Sequence, residues 1–302
     1  TITLTANAGR LGAEQNSGVT VAGSDTAVLT LSGTISAVNA YLGGENVNYL
    51  GASNANGNST ANISVSISEG SGDPVHLGAM YVNIAAVNDA PVLTSGGVLE
   101  AVAEDSVAPA GAVLATLGIV AQDDADIVVQ HGFTISTPID NNGTISGYAI
   151  VGNMADAEAE GVWEYSSDGT SWSAVGAVTD GADALALSAT TMVRFVPAAD
   201  FHGAPAGLTV RALDGNVTGF SASGATEARV KIDTSSFSTT SFFSSDTATI
   251  TTTVTSVNDL PTAVVPDQVD AFEDQLSPIN LAGLEFSDVD GDTDVVVTLA
   301  AT

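Results

Sequence analysis

The sequence predicts an all-β protein made of tandem antiparallel β-sandwich domains placed end to end, and three observations predict it. Apolar and polar residues alternate in short runs, as in residues 1–5, which is the period of a half-buried strand. Val, Ile, Thr, Ala and Gly dominate, whereas aromatic residues make up only 5%, a mix that suits stacked sheets. Turn residues recur at even spacing, with no long helical pattern between them.

An internal repeat organises the chain. The motif Val-Asn-Asp-Ala-Pro at residues 87–91 returns as Val-Asn-Asp-Leu-Pro at residues 257–261. A Glu-Asp pair follows each copy, Glu104-Asp105 after the first and Glu273-Asp274 after the second. A repeat of this length sets the architecture. The two copies mark two junctions, and they divide the chain into residues 1–87, 88–257 and 258–302.

The first part, residues 1–87, is predicted to contain several strands and one short helix. Residues 27–32 and 63–68 repeat the alternation of residues 1–5, and residues 81–87 lead into the first junction.

The short helix is predicted over residues 35–42. Thr34 is placed to cap its first turn, and Gly43-Gly44 ends it. Its apolar face would comprise Ile35, Val38 and Leu42.

The middle part, residues 88–257, is predicted to be a second sandwich. Its clearest element is a hairpin in which Trp163 and Tyr165 share one face, Asp168-Gly169 makes the turn and Trp172 returns on the partner strand. Further strands are expected at residues 192–196, 208–213, 228–232 and 248–254, with a tight turn at 140–143. An apolar run at residues 113–117 precedes an acidic cluster at residues 123–126.

The last part, residues 258–302, is too short to bury a sandwich core alone. Apolar Leu281, Leu284 and Phe286 precede an acidic run at residues 288–294, and a strand is expected at residues 295–299.

Composition excludes several classes of function. The 302 residues include 35 acidic and 5 basic ones, for a net charge of -30, so nucleic acid and acidic membrane surfaces are poor partners and divalent cations are good ones. A hydrophobic fraction of 44% argues against a disordered acidic tail. The absence of cysteine excludes disulfides, and no segment is apolar enough to span a bilayer. The N-terminus reads as the middle of a strand without a signal peptide, so the sequence looks like a window of a longer or processed chain.

Taken together, these motifs resemble bacterial cadherin-like tandem repeats, which occur in giant surface adhesins, RTX-type adhesins among them. The resemblance is carried by the Val-Asn-Asp-Ala-Pro closure, the Glu-Asp pair, the Asp-Val-Asp-Gly-Asp run at residues 288–292 and the Leu-Ser-Gly-Thr-Ile helix start at residues 31–35. Residues 163–166 and 194–197 resemble a second repeat type of the same proteins. The resemblance implies Ig-like sandwich domains at a bacterial cell surface, with Ca²⁺ at the junctions.

The resemblance also implies that a linker Asp, an opening Glu and the Asp-x-Asp run of the following domain form a calcium cage. Calcium takes six to eight oxygen ligands. At the second junction the candidates are Asn258, Asp259, Glu273, Asp274, Asp288, Asp290 and Asp292. This set is not an EF-hand, because Gly291 is fourth in the loop and Leu299 stands where the closing Glu belongs.

The first junction has its own candidates. They are Asn88, Asp89, Glu104, Asp105, Asp123, Asp124 and Asp126, and Asp214 is a further ligand for either junction. The alternative is that these are solvated turn residues, since Asp and Asn favour turns for their own reasons.

One departure from the family pattern concerns the order of the parts. In the family, the Asp-Val-Asp-Gly-Asp stretch precedes the piece that residues 1–87 resemble, whereas here the two lie at opposite ends. One hypothesis is that the last part of one copy completes the first part of the next, in a longer polymer or by strand donation between chains. The other is an arbitrary cut through a longer protein.

Other constellations give weaker signals. The three histidines are far apart in sequence, and neither a serine elbow nor a cysteine nucleophile is present, so no enzyme is predicted. Trp163, Tyr165 and Trp172 either stack on a sugar or, as we favour, fill the core. Residues 234–243 are uncharged with three phenylalanines and form either a hairpin tip or a contact patch.

The function expected from the sequence is therefore structural. We expect an extracellular stalk or matrix filament, stiffened by Ca²⁺ and joined head to tail to copies of itself. The alternative is an adhesin module that binds a cell-surface glycan or protein ligand through the middle domain.

Overall fold

The computed structural model describes residues 1–16, 18–53, 55–70, 72–122, 127–128, 144–290 and 296–300. Strands make up 42% of the chain and helices 4%, and most strand pairs are antiparallel, so the all-β prediction is confirmed. Among the described residues, none of the helices has the length and apolar character that crossing a bilayer requires.

The first part forms one large sheet and one small one. Its strands are β1 (Ile2–Ala6), β2 (Arg10–Ala13), β3 (Val19–Ala22), β4 (Val28–Gly33), β5 (Val47–Leu50), β6 (Ala55–Ile67) and β7 (Val75–Ile84). The large sheet has the antiparallel order β3-β4-β1-β6, with β7 on β6, and β2 pairs with β5. Leu29 and Leu31 of β4 are fully buried and Thr30 between them is half-buried, which is the alternation that the sequence predicted.

The helix α1 (Ile35–Gly43) begins and ends where the sequence predicted. Thr34 Oγ1 accepts a hydrogen bond from the Ala37 amide at 3.2 Å. The predicted apolar face is confirmed for Val38 and wrong for Ile35 and Leu42, which are exposed, because α1 buries Tyr41 instead. The Tyr41 ring fills the core while its hydroxyl donates to a backbone carbonyl, so the aromatic side chain sets the orientation. The large sheet, the β2–β5 pair and α1 share this apolar cluster.

The middle part contains most of the strands. They are β8 (Val92–Ser95), β9 (Val102–Ala103), β10 (Ala112–Val113), β11 (Val120–Gln122), β12 (Ile127–Val128), β13 (Ile145–Asn153), β14 (Gly161–Ser166), β15 (Ser173–Ala174), β16 (Ala184–Ser188), β17 (Met192–Pro197), β18 (Leu208–Asp214), β19 (Lys231–Ile232), β20 (Ala248–Ile250) and β21 (Val254–Thr255). A 3-10 turn, Leu114–Thr116, follows β10 within the apolar run of residues 113–117.

Two antiparallel sheets dominate this part. One has the order β19-β16-β13-β18-β20, the other the order β10-β17-β14-β15, and both contribute to one apolar cluster. Trp163 and Phe195 lie at its centre, fully buried, with their rings in a T-shaped contact at 5.2 Å. Separate pairs join β8 to β11 and β9 to β21, and β12 pairs in parallel with the start of β6.

The predicted hairpin is confirmed. β14 and β15 pair antiparallel, and Gly169 adopts the left-handed conformation (φ +74°) that the turn requires. Trp163 and Tyr165 are fully buried, so the core interpretation of these aromatics is confirmed.

The predicted strand at residues 248–254 is divided into β20 and β21. β20 pairs antiparallel with β18, whereas β21 pairs in parallel with β9. The chain changes partner at Thr251, whose amide donates to the Gly97 carbonyl at 3.0 Å.

The last part forms a single hairpin-like pair, β22 (Thr262–Val264) with β23 (Glu285–Ser287). Residues 296–300 form no strand, and Val295 lies outside the described residues, as does the turn predicted at 140–143.

Candidate metal centre

Five carboxylates from four stretches of the chain meet at the second junction. We call them the junction cluster: Glu104, Asp105, Asp200, Asp259 and Asp290. One oxygen each of Glu104, Asp259 and Asp290 lies within 4.8 Å of the others, and the same holds for Asp105, Asp200 and Asp259. Asp259 therefore belongs to both groups.

Glu104 is placed by the parallel pairing of β9 with β21. Its amide donates to the Thr255 carbonyl at 2.9 Å, and its carboxylate accepts from the Val257 amide. The side chain is nearly inaccessible, with 3% of the residue exposed. Its second oxygen lies 3.5 Å from Nδ1 of the half-exposed His202. A buried carboxylate is thereby fixed beside the linker that carries Asp259.

Asp105 and Asp200 lie on turns that face each other. Both adopt φ +60°, and the Asp200 amide donates to the Asp105 carboxylate at 3.2 Å. Gly203 exchanges two backbone hydrogen bonds with Val254 of β21, which holds the Asp200 turn against the same strand that positions Glu104.

Asp290 reaches the cluster from the last part of the chain. Its carboxylate accepts from the Asp259 amide at 2.6 Å, and its own amide donates to Asp288 Oδ1 at 3.0 Å. Asp288 thus shapes the turn that presents Asp290. It is Asp290, rather than Asp288, whose oxygen lies close to the Glu104 and Asp259 oxygens.

The cluster concentrates negative charge around Asp259. Burial raises the pKa of the Asp259 carboxyl, and the Asp105, Asp290, Asp200 and Glu104 carboxylates raise it further. Its Oδ2 atom is buried without a hydrogen-bond partner in the described part of the chain. A buried oxygen of this kind costs free energy unless a donor or a cation satisfies it.

The chemistry of the cluster suits a hard cation. All five side chains offer carboxylate oxygens, the ligands that Ca²⁺ and Mg²⁺ take. Within the described residues, no lysine or arginine forms an ion pair with any of the five. The junction cluster could therefore hold a metal ion that offsets its charge.

The first junction is built differently. Asn88 is buried, and its Oδ1 accepts from Asn216 Nδ2 at 2.6 Å. The Asn216 amide in turn donates to the fully buried Asp214 at 2.8 Å. Amide hydrogen bonds thus connect this linker to the middle part.

The uncharged loop at residues 234–243 completes the first junction. Asn88 Nδ2 lies within 3.4 Å of the Thr240 and Ser241 carbonyls, and the Ala90 amide donates to Thr239 at 2.8 Å. Phe243 is buried in the middle part, so one of the three phenylalanines anchors the loop internally.

Glu104 and Asp105 lie at the second junction and not at the first, to which the sequence assigned them. They follow the first junction along the chain, but β9 runs parallel to β21 and carries them to the second. Glu273, Asp274 and Asn258 are exposed. Within the described residues, Glu273 and Asp274 join no group of three close acidic or histidine ligands. Asp89 is half-buried at the first linker. Four further candidates, Asp123, Asp124, Asp126 and Asp292, lie outside the described residues.

Asp200 was missed by the sequence analysis. It follows β17 in a single Asp-Phe-His-Gly stretch, which contains no acidic cluster and no turn pair that marks a ligand. The backbone bridge between Gly203 and Val254 and the hydrogen bond from the Asp200 amide to Asp105 bring it to the site. The left-handed conformation that Asp200 shares with Asp105 cannot be read from residue type.

The aromatic side chains considered for sugar stacking do not form a surface. Trp163 Nε1 donates to the Ala206 carbonyl at 2.8 Å and the Tyr165 hydroxyl to Glu227 at 2.6 Å, both from inside the core. The Arg194 guanidinium lies over the Trp172 ring, with its carbon Cζ 4.1 Å from the ring centroid.

Comparisons with known proteins found no match among protein-family models, curated proteins or solved structures.

Proposed function

We propose that this chain is a non-catalytic, structural segment of an extracellular repeat protein, in which β-sandwich domains follow one another and Ca²⁺ stiffens the second junction. Two features support the tandem arrangement. The apolar clusters do not mix, since one lies within residues 1–87 and the others lie within residues 88–257. The linker motif recurs between the parts.

The observation that carries the proposal is the position of Asp259. It lies in the linker and belongs to both groups of carboxylates, and the other carboxylates of these groups come from both sides of the junction. Glu104, Asp105 and Asp200 belong to the middle part, whereas Asp290 belongs to the last part. An ion held by this set would connect the two parts through the linker.

The mechanism follows from charge. Without a cation the five carboxylates repel one another, and the linker is held by few contacts to the last part, chiefly the hydrogen bond from the Asp259 amide to Asp290. A bound Ca²⁺ supplies positive charge and six to eight coordination positions. The protein side chains then fix the direction in which the last part leaves the middle part. The role is mechanical, and the location that fits it is the bacterial cell surface.

The test measures the length of the particle and its thermal stability with and without Ca²⁺. Small-angle scattering and thermal melting are recorded in Ca²⁺, in Mg²⁺ and in chelator. We expect Ca²⁺ to narrow the distribution of particle lengths and raise the Tm, and Mg²⁺ to act more weakly because it demands near-ideal octahedral geometry.

A matched pair of variants separates the site from general charge effects. Asp259→Asn removes the shared ligand, whereas Asp73→Asn makes the same change at an exposed position in the first part. Only Asp259→Asn should abolish the response to Ca²⁺. A chelated wild-type protein that keeps its length distribution and its Tm would refute the proposed function.

A further inference from the structure

The last part of the chain leaves an unusual amount of apolar surface uncovered. Within residues 260–290 and 296–300 no side chain is buried. Its exposed large apolar residues are Leu260, Val264, Val265, Val269, Phe272, Leu276, Ile279, Phe286, Val289, Val296, Val297 and Leu299. Soluble proteins rarely expose so many together, so this stretch marks an interaction surface.

The internal repeat identifies the kind of surface that would cover it. Glu104-Asp105 and Glu273-Asp274 both form a turn whose Asp has a positive φ, +60° at Asp105 and +56° at Asp274. The stretch after the second junction thus repeats the local geometry of the stretch after the first. Leu93, Leu99 and Leu114 of the earlier stretch are buried in a core, whereas the later stretch has none.

In the middle part, the opening turn is covered by the strand that ends at the next junction. Val102 pairs with Val254 and Ala103 with Thr255 in parallel, and the Val257 amide donates to Glu104. In the later turn, Ala271 and Phe272 precede Glu273 at the positions that Val102 and Ala103 occupy before Glu104. The same pairing at the later turn would therefore involve Ala271 and Phe272.

Residues 1–87 contain a stretch with the matching spacing, in which Ile84 ends β7 and residues 85–87 continue beyond the strand. Ile84, Ala85 and Val87 precede Asn88-Asp89 at the spacing with which Val254, Thr255 and Val257 precede Asn258-Asp259.

The surface beside residues 84–87 is open. A groove of about 350 Å³ is lined by Leu50, Ala55, Ile84, Ala85 and Val87. It is continued by the edge strand β7, which exposes further apolar side chains.

Two of those side chains lie on the core-facing side of the sheet. Met80 pairs with the buried Ile63, and Val75 pairs with Ile67, yet both Met80 and Val75 are more than half exposed. The core-facing side of β7 therefore extends beyond the cluster that covers the rest of the sheet.

We propose that residues 260–299 of one copy dock on residues 1–87 of a second copy, with Ala271 and Phe272 pairing in parallel with Ile84 and Ala85. Glu273 then accepts from the Val87 amide, as Glu104 accepts from Val257. Twelve exposed apolar side chains at about 80 Å² each offer on the order of 1,000 Å², which matches the roughly 800 Å² per partner of a stable interface. Burial of apolar side chains drives the docking, because both surfaces carry net negative charge and repel each other. Salt screens this repulsion and therefore strengthens the docking.

Disulfide trapping tests the register, because the chain contains no cysteine. Ala85→Cys and Phe272→Cys are made as separate single variants, mixed and mildly oxidised in chelator, so that the result does not depend on the metal site. Because directly paired positions bring Cα atoms within disulfide range, we expect a covalent dimer in the mixture at a yield several-fold above either variant alone. The control mixture pairs Ala85→Cys with Met154→Cys, an exposed position in the middle part. Equal yields in the two mixtures would overturn the proposal.

A second measurement covers the unmodified chain. Light scattering should give a mass that rises with concentration and salt beyond that of one copy. The double variant Phe272→Asp, Leu276→Asp should return it to a single copy, whereas Val107→Asp at another exposed apolar position should not. A chain that stays a single copy at all concentrations, or a double variant that associates as well as the wild type, contradicts the docking.

Discussion

Replacing Glu104 by Gln separates the charge of the junction cluster from its shape. The amide oxygen retains the hydrogen bond from Val257, and the amide nitrogen takes the position that faces His202 Nδ1. Only one negative charge is lost, at a side chain with 3% of the residue exposed. Without a cation we expect the variant to be as stable as the wild type or more so, because one repulsive charge is gone.

With Ca²⁺ bound, we expect the wild type to be more stable than the variant. A unit charge 4 Å from another is worth about 1 kcal/mol in water and about 4 kcal/mol near a protein surface. For a divalent ion even the lower figure doubles to about 2 kcal/mol, so a tenfold weaker affinity, about 1.4 kcal/mol, is a lower limit. At a free Ca²⁺ concentration one hundred times the wild-type Kd, binding adds about 2.7 kcal/mol to the free energy of unfolding of the wild type and at most about 1.4 kcal/mol to that of the variant.

The assay is thermal melting in chelator and at that fixed Ca²⁺ concentration. For a domain of this size, each kcal/mol shifts the Tm by about 2–4 °C, so we expect a rise of about 5–11 °C for the wild type and at most about half of that rise for Glu104→Gln. Glu69→Gln, at an exposed position in the first part, is the control and should respond like the wild type. If Glu104→Gln keeps the full Ca²⁺-dependent rise, or if Glu69→Gln loses as much, the reasoning is wrong.

Three further outcomes are expected. The affinity for Ca²⁺ should fall on acidification, starting above pH 3.8, because the pKa of Asp259 is raised above that ordinary value and its protonation competes with the ion; calorimetric titration between pH 7 and pH 4 checks this, and a constant affinity contradicts it. In chelator the sign is opposite, since a raised pKa means that the contribution of Asp259 to stability is lost as the pH rises through that pKa. Asn88→Ala should lower the free energy of unfolding by about 1–3 kcal/mol, because it removes a buried side chain whose hydrogen bonds join the linker to the partly buried Asn216 and to the loop at residues 234–243; the loss, measured with urea, should be the same in Ca²⁺ and in chelator. Trp163→Ala should cost about 3–5 kcal/mol, because it empties the centre of the middle core, and a loss below about 1 kcal/mol would refute the assigned packing.

Local elements of the fold could be predicted because their signals are local. The Thr34 cap, the glycine stop of α1 and the Asp168-Gly169 turn each depend on neighbouring residues, and each is found. The face of α1 could not be predicted from the apolar pattern alone. It is decided by where the Tyr41 hydroxyl finds a carbonyl acceptor 27 residues away.

The composition of the site was only partly accessible from the sequence, because its parts meet through long-range pairing. Asp259 and Asp290 stand out as a linker Asp and as part of an Asp-x-Asp run. The placement of Glu104 depends on a parallel pair between strands 152 residues apart, which chain order conceals. Asp200 depends on a backbone bridge that no residue pattern marks.

The parallel pairing of β9 with β21 has a consequence for a chain under tension. A pull through the two linkers draws β9 toward the N-terminus and β21 toward the C-terminus, in opposite directions along their axes. The hydrogen bonds from Leu99, Val102 and Glu104 to the opposite strand are then sheared together and share the load, instead of opening one after another. The same geometry that brings Glu104 to Asp259 would thus let the middle part transmit force without unzipping.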